Sequence, residues 1–155
     1  PCPRGCDSIV SCDCSAEQLS RYRNKLSAPL MDRIDIQIEL PRLQSHELLN
    51  RKQVKQEASD VVRTRVTRTR AKQLQRQSCL NSRLTNHQID HFCQLDETSE
   101  KILMTAIDKL KLTARSYHKL LKLARTIADM ADEKNIQKMH LLEAISYRQQ
   151  DKRPL

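Results

Sequence analysis

Glycine is almost absent: Gly5 is the only one in 155 residues. A phosphate-binding loop of the G-x-x-x-x-G-K-[ST] type needs two glycines and a backbone able to wrap a phosphate. This chain cannot contain one. No Asp-Glu pair follows an apolar strand either, so the usual magnesium-holding and water-activating acids are missing. Tryptophan is absent, and Tyr22, Phe92, Tyr117 and Tyr147 are the only Tyr and Phe side chains. Stacking of bases on an aromatic platform is not expected. No apolar run approaches a membrane span and no signal sequence is visible, so no membrane partner is expected. No Ser/His/Asp triad or Cys/His nucleophile has supporting context.

Positive charge is plentiful. Lys and Arg number 28 against 19 Asp and Glu, a formal net charge of +9. Such a balance favours an acidic partner, most often nucleic acid, and is silent on fold. Six cysteines in so basic a chain suit a reducing cytoplasm better than a disulfide scaffold. The length suits one domain, or the tail of one with a small second unit. The chain opens on Pro1, inside a cysteine-rich loop, and is expected to be a fragment of something longer.

Residues 1–14 read as a loop. Ser15-Ala16-Glu17-Gln18 is a capping box that opens a helix to about Leu26. Ile34, Ile36, Ile38 and Leu40 then alternate with Asp35, Gln37 and Glu39, the period of a half-buried strand that Pro41 closes. A polar connection leads to a long helix from Gln53 to about Gln77, uninterrupted by Gly or Pro. Its apolar row, Val54, Ala58, Val62, Val66 and Leu74, is thin. Thr85-Asn86-His87-Gln88 caps a short helix to Cys93. Asp96 caps another, to Leu110, and Thr113 opens one to about Ala131. The last is expected from Asn135 to about Arg148. Tyr117, Leu120, Leu121, Ala124, Ile127, Ala128 and Ala131 share a face. Leu103, Ile107 and Leu110, with Leu141, Leu142 and Ile145, offer matching surfaces for a small bundle.

Three clusters carry possible chemistry. Arg33 follows a Pro-started turn at the mouth of the expected strand, where a planar fork of donors suits a phosphate. Its plainer reading is a surface arginine paired with Asp32 or Asp35. Arg115 lies in the first turn of the Thr113 helix. Helix N-termini favour anions, so an arginine there is mismatched unless it serves an outside phosphate or is simply solvated. The third cluster is the basic face Arg63, Arg65, Arg68, Arg70, Lys72 and Arg76. It is either a solvated face or a surface for the nucleic-acid backbone, without base reading. Cys2, Cys6, Cys12 and Cys14 fall within one short loop and are a candidate zinc set. Free thiols are the alternative, because C-x3-C followed by C-x-C is not the usual ribbon spacing. Cys79 and Cys93 read as ordinary buried or half-buried thiols. His87 and His91 have no converging ligands, and Arg125 reads as structural.

The segment Ala28-Pro29-Leu30-Met31-Asp32-Arg33-Ile34-Asp35 resembles the L-L-D-R-I-D-L segment of the magnesium-chelatase-like AAA+ ATPases. Leu112 to Asp129, beginning Leu-Thr-Ala-Arg-Ser-Tyr-His-Lys, resembles the lid-helix signature of the same family. The Pro-Cys-Pro opening, with Cys12-Asp13-Cys14 and the helix after it, is most similar to the ComM/YifB branch, which is linked to bacterial DNA uptake and recombination. It departs from that branch's P-C-P-C-G: Arg4 stands where a cysteine is expected, and Cys6 follows the glycine.

The resemblance implies a mainly α fragment, with the end of an AAA+ α/β core (one short strand and the finger loop) followed by a helical lid bundle. Residues 1–41 would be the end of the core and 42–79 a linker with the long basic helix. Residues 80–150 would be the lid. It implies ATP and magnesium, held mainly by residues upstream of Pro1, and a ring of identical subunits, a hexamer, acting on DNA as a helicase or branch-migration enzyme. Arg33 becomes an arginine finger acting in a neighbour's site, and Arg115 the sensor-2 residue. The fragment alone is expected to be inactive. Two alternatives stand beside it: a stand-alone basic helical module that binds nucleic acid, and a magnesium-chelatase subunit.

Overall fold

The computed structural model describes residues 13–38, 40 and 57–148. They form seven α-helices and a short 3-10 turn. The helices are α1 (Ala16–Arg23), α2 (Ala28–Met31), α3 (Ser59–Gln77), α4 (Asn86–Phe92), α5 (Glu97–Leu110), α6 (Ala114–Met130) and α7 (Lys138–Ser146). The 3-10 turn, Asn81–Arg83, links α3 to α4.

Most boundaries follow from local capping chemistry. Ser15 and Thr85 each form a reciprocal capping box with the glutamine three residues on. Asp96 and Thr113 accept from the backbone N–H groups of Ser99 and Ser116. Each satisfies a helix N-terminal donor that has no intrahelical partner. With no glycine to end them, three helices are closed by Ser78, Lys111 and Asp132 at positive φ, between 47° and 66°. An L-residue carries strain in that region that glycine avoids.

The core lies between α4, α5, α6 and α7. Ile89, Leu103, Ala106, Leu120, Leu121, Ala124, Ala128, Leu141 and Ile145 are buried there. α6 is the central element: it packs along α7 and also receives α3, the 3-10 turn and α4. Leu142 and Ala131 remain exposed, against the expected pattern. α7 is capped at Gln137, not Asn135, which lies in a bend, and Ile136 enters the core before the helix begins.

Two further expectations are corrected. Residues 34–38 form no strand. A strand exists only as part of a ladder, and no strand pairs with this segment among the described residues. The Gln37 N–H donates instead to the carbonyl of Tyr147 at the end of α7, at 3.1 Å, and Ile34, Ile36, Ile38 and Leu40 stay exposed. On α3, the residues buried are polar, namely Thr69, Gln73 and Gln77, while Val61, Val66 and Leu74 face outward. Hydrogen bonds outrank the thin apolar row here. Gln73 accepts from the Asn81 N–H at 3.1 Å, and the Gln77 amide donates to Asn81 Oδ1 at 2.8 Å.

Candidate functional site: the Arg33 turn on the α6 N-terminus

Met31, Asp32 and Arg33 leave the one-turn helix α2 through backbone hydrogen bonds from Arg33 to Leu30 (3.0 Å) and from Ile34 to Met31 (3.1 Å). The turn sits on the first turns of α6. Ser116 Oγ donates to Asp32 Oδ1, and Thr113 Oγ1 lies 3.4 Å from the same oxygen. Lys119 Nζ donates to the carbonyls of Asp32 (3.2 Å) and Arg33 (2.7 Å) and pairs with Asp35 at 2.5 Å. Arg148, beyond α7, brings Nη1 to 3.0 Å from Ser116 Oγ and 3.8 Å from Asp32. The Ser116 hydroxyl, helped by Arg148, Thr113 and Lys119, holds the Asp32 carboxyl below its ordinary value against the opposing effect of burial. A carboxylate at a helix N-terminus also meets the positive end of the helix dipole.

Arg33 itself is exposed. Its guanidinium donates to the Pro29 carbonyl at 2.9 Å. It pairs with neither Asp32 nor Asp35, whose carboxylates meet Ser116 and Lys119 of α6 instead. Arg115 is also largely exposed, with Nε 4.0 Å from Asp32. Asp32 therefore joins the turn that carries one arginine to the helix end that carries the other. The roles of Ser116, Lys119 and Arg148 around Asp32 leave no local pattern in the sequence, because their contacts with Asp32 span more than 80 positions.

The basic helix divides into two faces. Arg65, Arg68, Lys72 and Arg76 recur at helical spacing and meet acids: Glu57 for Arg65, Asp132 for Arg68 and Lys72, and Asp129 for Arg76. Arg76 reaches both Asp129 oxygens, at 2.5 and 3.0 Å, and Asn81 at 3.0 Å. Arg125, 2% exposed, pairs with Asp129 and donates to the carbonyls of Glu133 and Lys134, closing the end of α6. Burial would raise the Asp129 carboxyl, but Arg76, Asn81 and Arg125 outweigh it and hold the group below its ordinary value. Arg63 and Arg70 lie on the other face, exposed, beside Val62, Val66 and Leu74. Among the described residues neither meets a carboxylate.

Cys2, Cys6 and Cys12 lie outside the described residues, and Cys14 is half-buried. Among the described residues, no group of three or more His, Cys, Asp or Glu converges to hold a metal ion. Cys79 is half-buried and Cys93 buried, and burial pushes the Cys93 thiol up to about 11. No described helix is long and apolar enough to cross a membrane.

A helical bundle with an arginine-bearing turn on its central helix fits the C-terminal region of a magnesium-chelatase-type protein. Residues 56–148 match the family described as magnesium chelatase, subunit ChlI C-terminal, and residues 1–48 match magnesium chelatase, subunit ChlI. The chain belongs to this family. It is 40% identical over 134 residues to the competence protein ComM of Haemophilus influenzae, covering 86% of this chain and 26% of the relative. It is 40% identical over 139 residues to the uncharacterized protein YifB of Escherichia coli, covering 90% of this chain and 27% of the relative. A similarity of 28% identity over 153 residues, 96% of this chain and 30% of the relative, extends to an uncharacterized protein of Mycobacterium tuberculosis H37Rv. The chain thus spans between a quarter and a third of the length of these relatives.

Proposed function

We propose that this chain is the C-terminal part of a ring-forming AAA+ ATPase that acts on DNA in the cytoplasm, and that it supplies Arg33 as an arginine finger and Arg115 as the sensor-2 residue. One observation carries the reading. Asp32 ties the turn of exposed Arg33 to the helix end where exposed Arg115 stands. Each of these solvent-facing guanidiniums suits a phosphate presented to it from outside this chain. Nothing here suits the wrapping of a triphosphate, because the chain has a single glycine. The phosphate-binding loop and magnesium would come from another part of the protein, and for Arg33 from a neighbouring subunit of the ring, a hexamer.

When bound, ATP would supply the transferable phosphoryl group and magnesium would neutralise charge on it. This chain's part is positioning and electrostatics. An arginine finger stabilises charge that develops on the phosphoryl oxygens and needs no covalent chemistry of its own. The net charge of +9 and the exposed Arg63 and Arg70 support contact with the DNA backbone. The chain's similarity to the competence protein ComM supports a competence-related role. ATP turnover by the complete ATPase tests the reading: Arg33→Ala and Arg115→Ala should each lower it, and wild-type rates in both would remove the assignment.

A further inference from the structure

We infer that Arg148 is a positioning residue for Arg33: it latches the Asp32–Arg33 turn onto the α6 N-terminus. The inference rests on the finger reading of Arg33 and adds the element that aims it. Arg148 is 4% exposed. Its Nη1 donates to Ser116 Oγ, which in turn donates to Asp32. Its Nε and Nη2 are buried without a hydrogen-bond partner. Among the described residues, Asp32 is the carboxylate that compensates this buried charge. A buried cation whose partner leaves is strongly disfavoured. Releasing the Asp32 turn therefore carries a penalty set by Arg148, not by Asp32 alone.

The end of α7 adds a second tie, because the Tyr147 carbonyl accepts from the Gln37 N–H. Residues 32 and 37 are thus both held by residues 147 and 148, on either side of Arg33 and Ile34. The terminus of the last helix fixes the base of the turn, while the Arg33 guanidinium, whose own bond is to Pro29, projects from it. No local motif marks Arg148: it acts through Asp32, 116 positions away.

The test uses the complete ATPase, with hydrogen exchange and turnover measured on the same variants. Arg148→Met and Asp32→Asn should raise exchange at the Arg33 and Ile34 amides by about tenfold or more while α6 and α7 keep their protection. Turnover should fall by about tenfold with nucleotide affinity unchanged, and the double variant should be no worse than either single one, since both break one coupled unit. Arg148→Lys should restore part of both readouts. Unchanged exchange at residues 33 and 34, or additive losses in the double variant, would overturn the latch. Should Arg148→Met loosen the whole bundle, Asp32→Asn, which keeps side-chain volume, decides on the same amides. Faster exchange with wild-type turnover, in a protein that Arg33→Ala inactivates, would overturn the positioning role. Wild-type turnover in Arg33→Ala with the turn still protected would instead sink the finger reading and leave the latch to be judged by exchange.

Discussion

Arg76 grips Asp129 with both terminal nitrogens of its guanidinium, 53 positions away in sequence. This fork fixes the C-terminal end of the basic helix α3 to the end of α6. It also removes Arg76 from the set of cations free to meet an outside phosphate. Reversing Arg63 and Arg70 to Glu should therefore weaken binding to duplex DNA and lower the slope of log affinity against log salt by about 2, near 0.9 per lost phosphate contact. Melting temperature should stay close to wild type. Equal affinity and slope for wild type and double variant would show that this face is merely solvated.

Asp129 should be a stability determinant. Its side chain is 2% exposed and holds Arg76, Arg125 and Asn81. Asp129→Ala leaves Arg125 buried without its carboxylate, and should cost about 3–5 kcal/mol in urea unfolding. Asp129 has a folded pKa below its ordinary value of 3.8. Its contribution is complete above that value and is lost as pH falls from there through the lowered folded value. Wild type should lose stability more steeply than the Asp129→Asn variant over that acid range. Parallel acid curves for the two would contradict the assignment.

The scarcity of glycine leaves its mark at helix ends. Lys111 closes α5 at φ 47°. Lys111→Gly should relieve left-handed strain and raise stability by about 0.5–1 kcal/mol, after the entropic cost of glycine is subtracted. A destabilised variant would mean that the Lys111 side chain contributes more than its backbone costs.

Cys2, Cys6, Cys12 and Cys14 are either a zinc set or reduced thiols, and the zinc reading is the one put to the test. Protein purified under reduction without chelator should carry about one zinc per chain, and replacing Cys14 with Ser should lower the content. Metal analysis that finds none returns these residues to reduced thiols.

The bundle was legible in the sequence because helix caps and 3.6-residue periodicity are local signals. Thr85, Asp96 and Thr113 stand where their helices begin. Leu120, Leu121, Ala124 and Ala128 are buried as their shared face implies. What was not legible is long-range. The alternation of Ile34 to Leu40 is a genuine strand pattern, yet pairing depends on a partner that local sequence does not name. The basic helix looked uniform, but acids at Asp129 and Asp132 sort its cations into paired and unpaired faces. The turn at Arg33 was recognisable by resemblance, whereas its anchors on α6 and at Arg148 emerged only from the folded chain.

Complementation between two inactive subunits tests the central claim most directly. Arg33 is exposed and outside the core, so Arg33→Ala in the full-length protein should fold and, on the proposed reading, bind ATP as wild type does. Its hydrolysis should drop by about a thousandfold or more, the scale of a lost arginine finger. Subunits with Arg33→Ala are then mixed with subunits whose phosphate-binding lysine is removed, and ATP turnover of the mixture is measured. If Arg33 acts in a neighbour's site, part of the activity returns, because some interfaces combine an intact loop with an intact Arg33. Wild-type turnover by the Arg33→Ala protein alone, or no recovery in rings shown to contain both subunits, would contradict it.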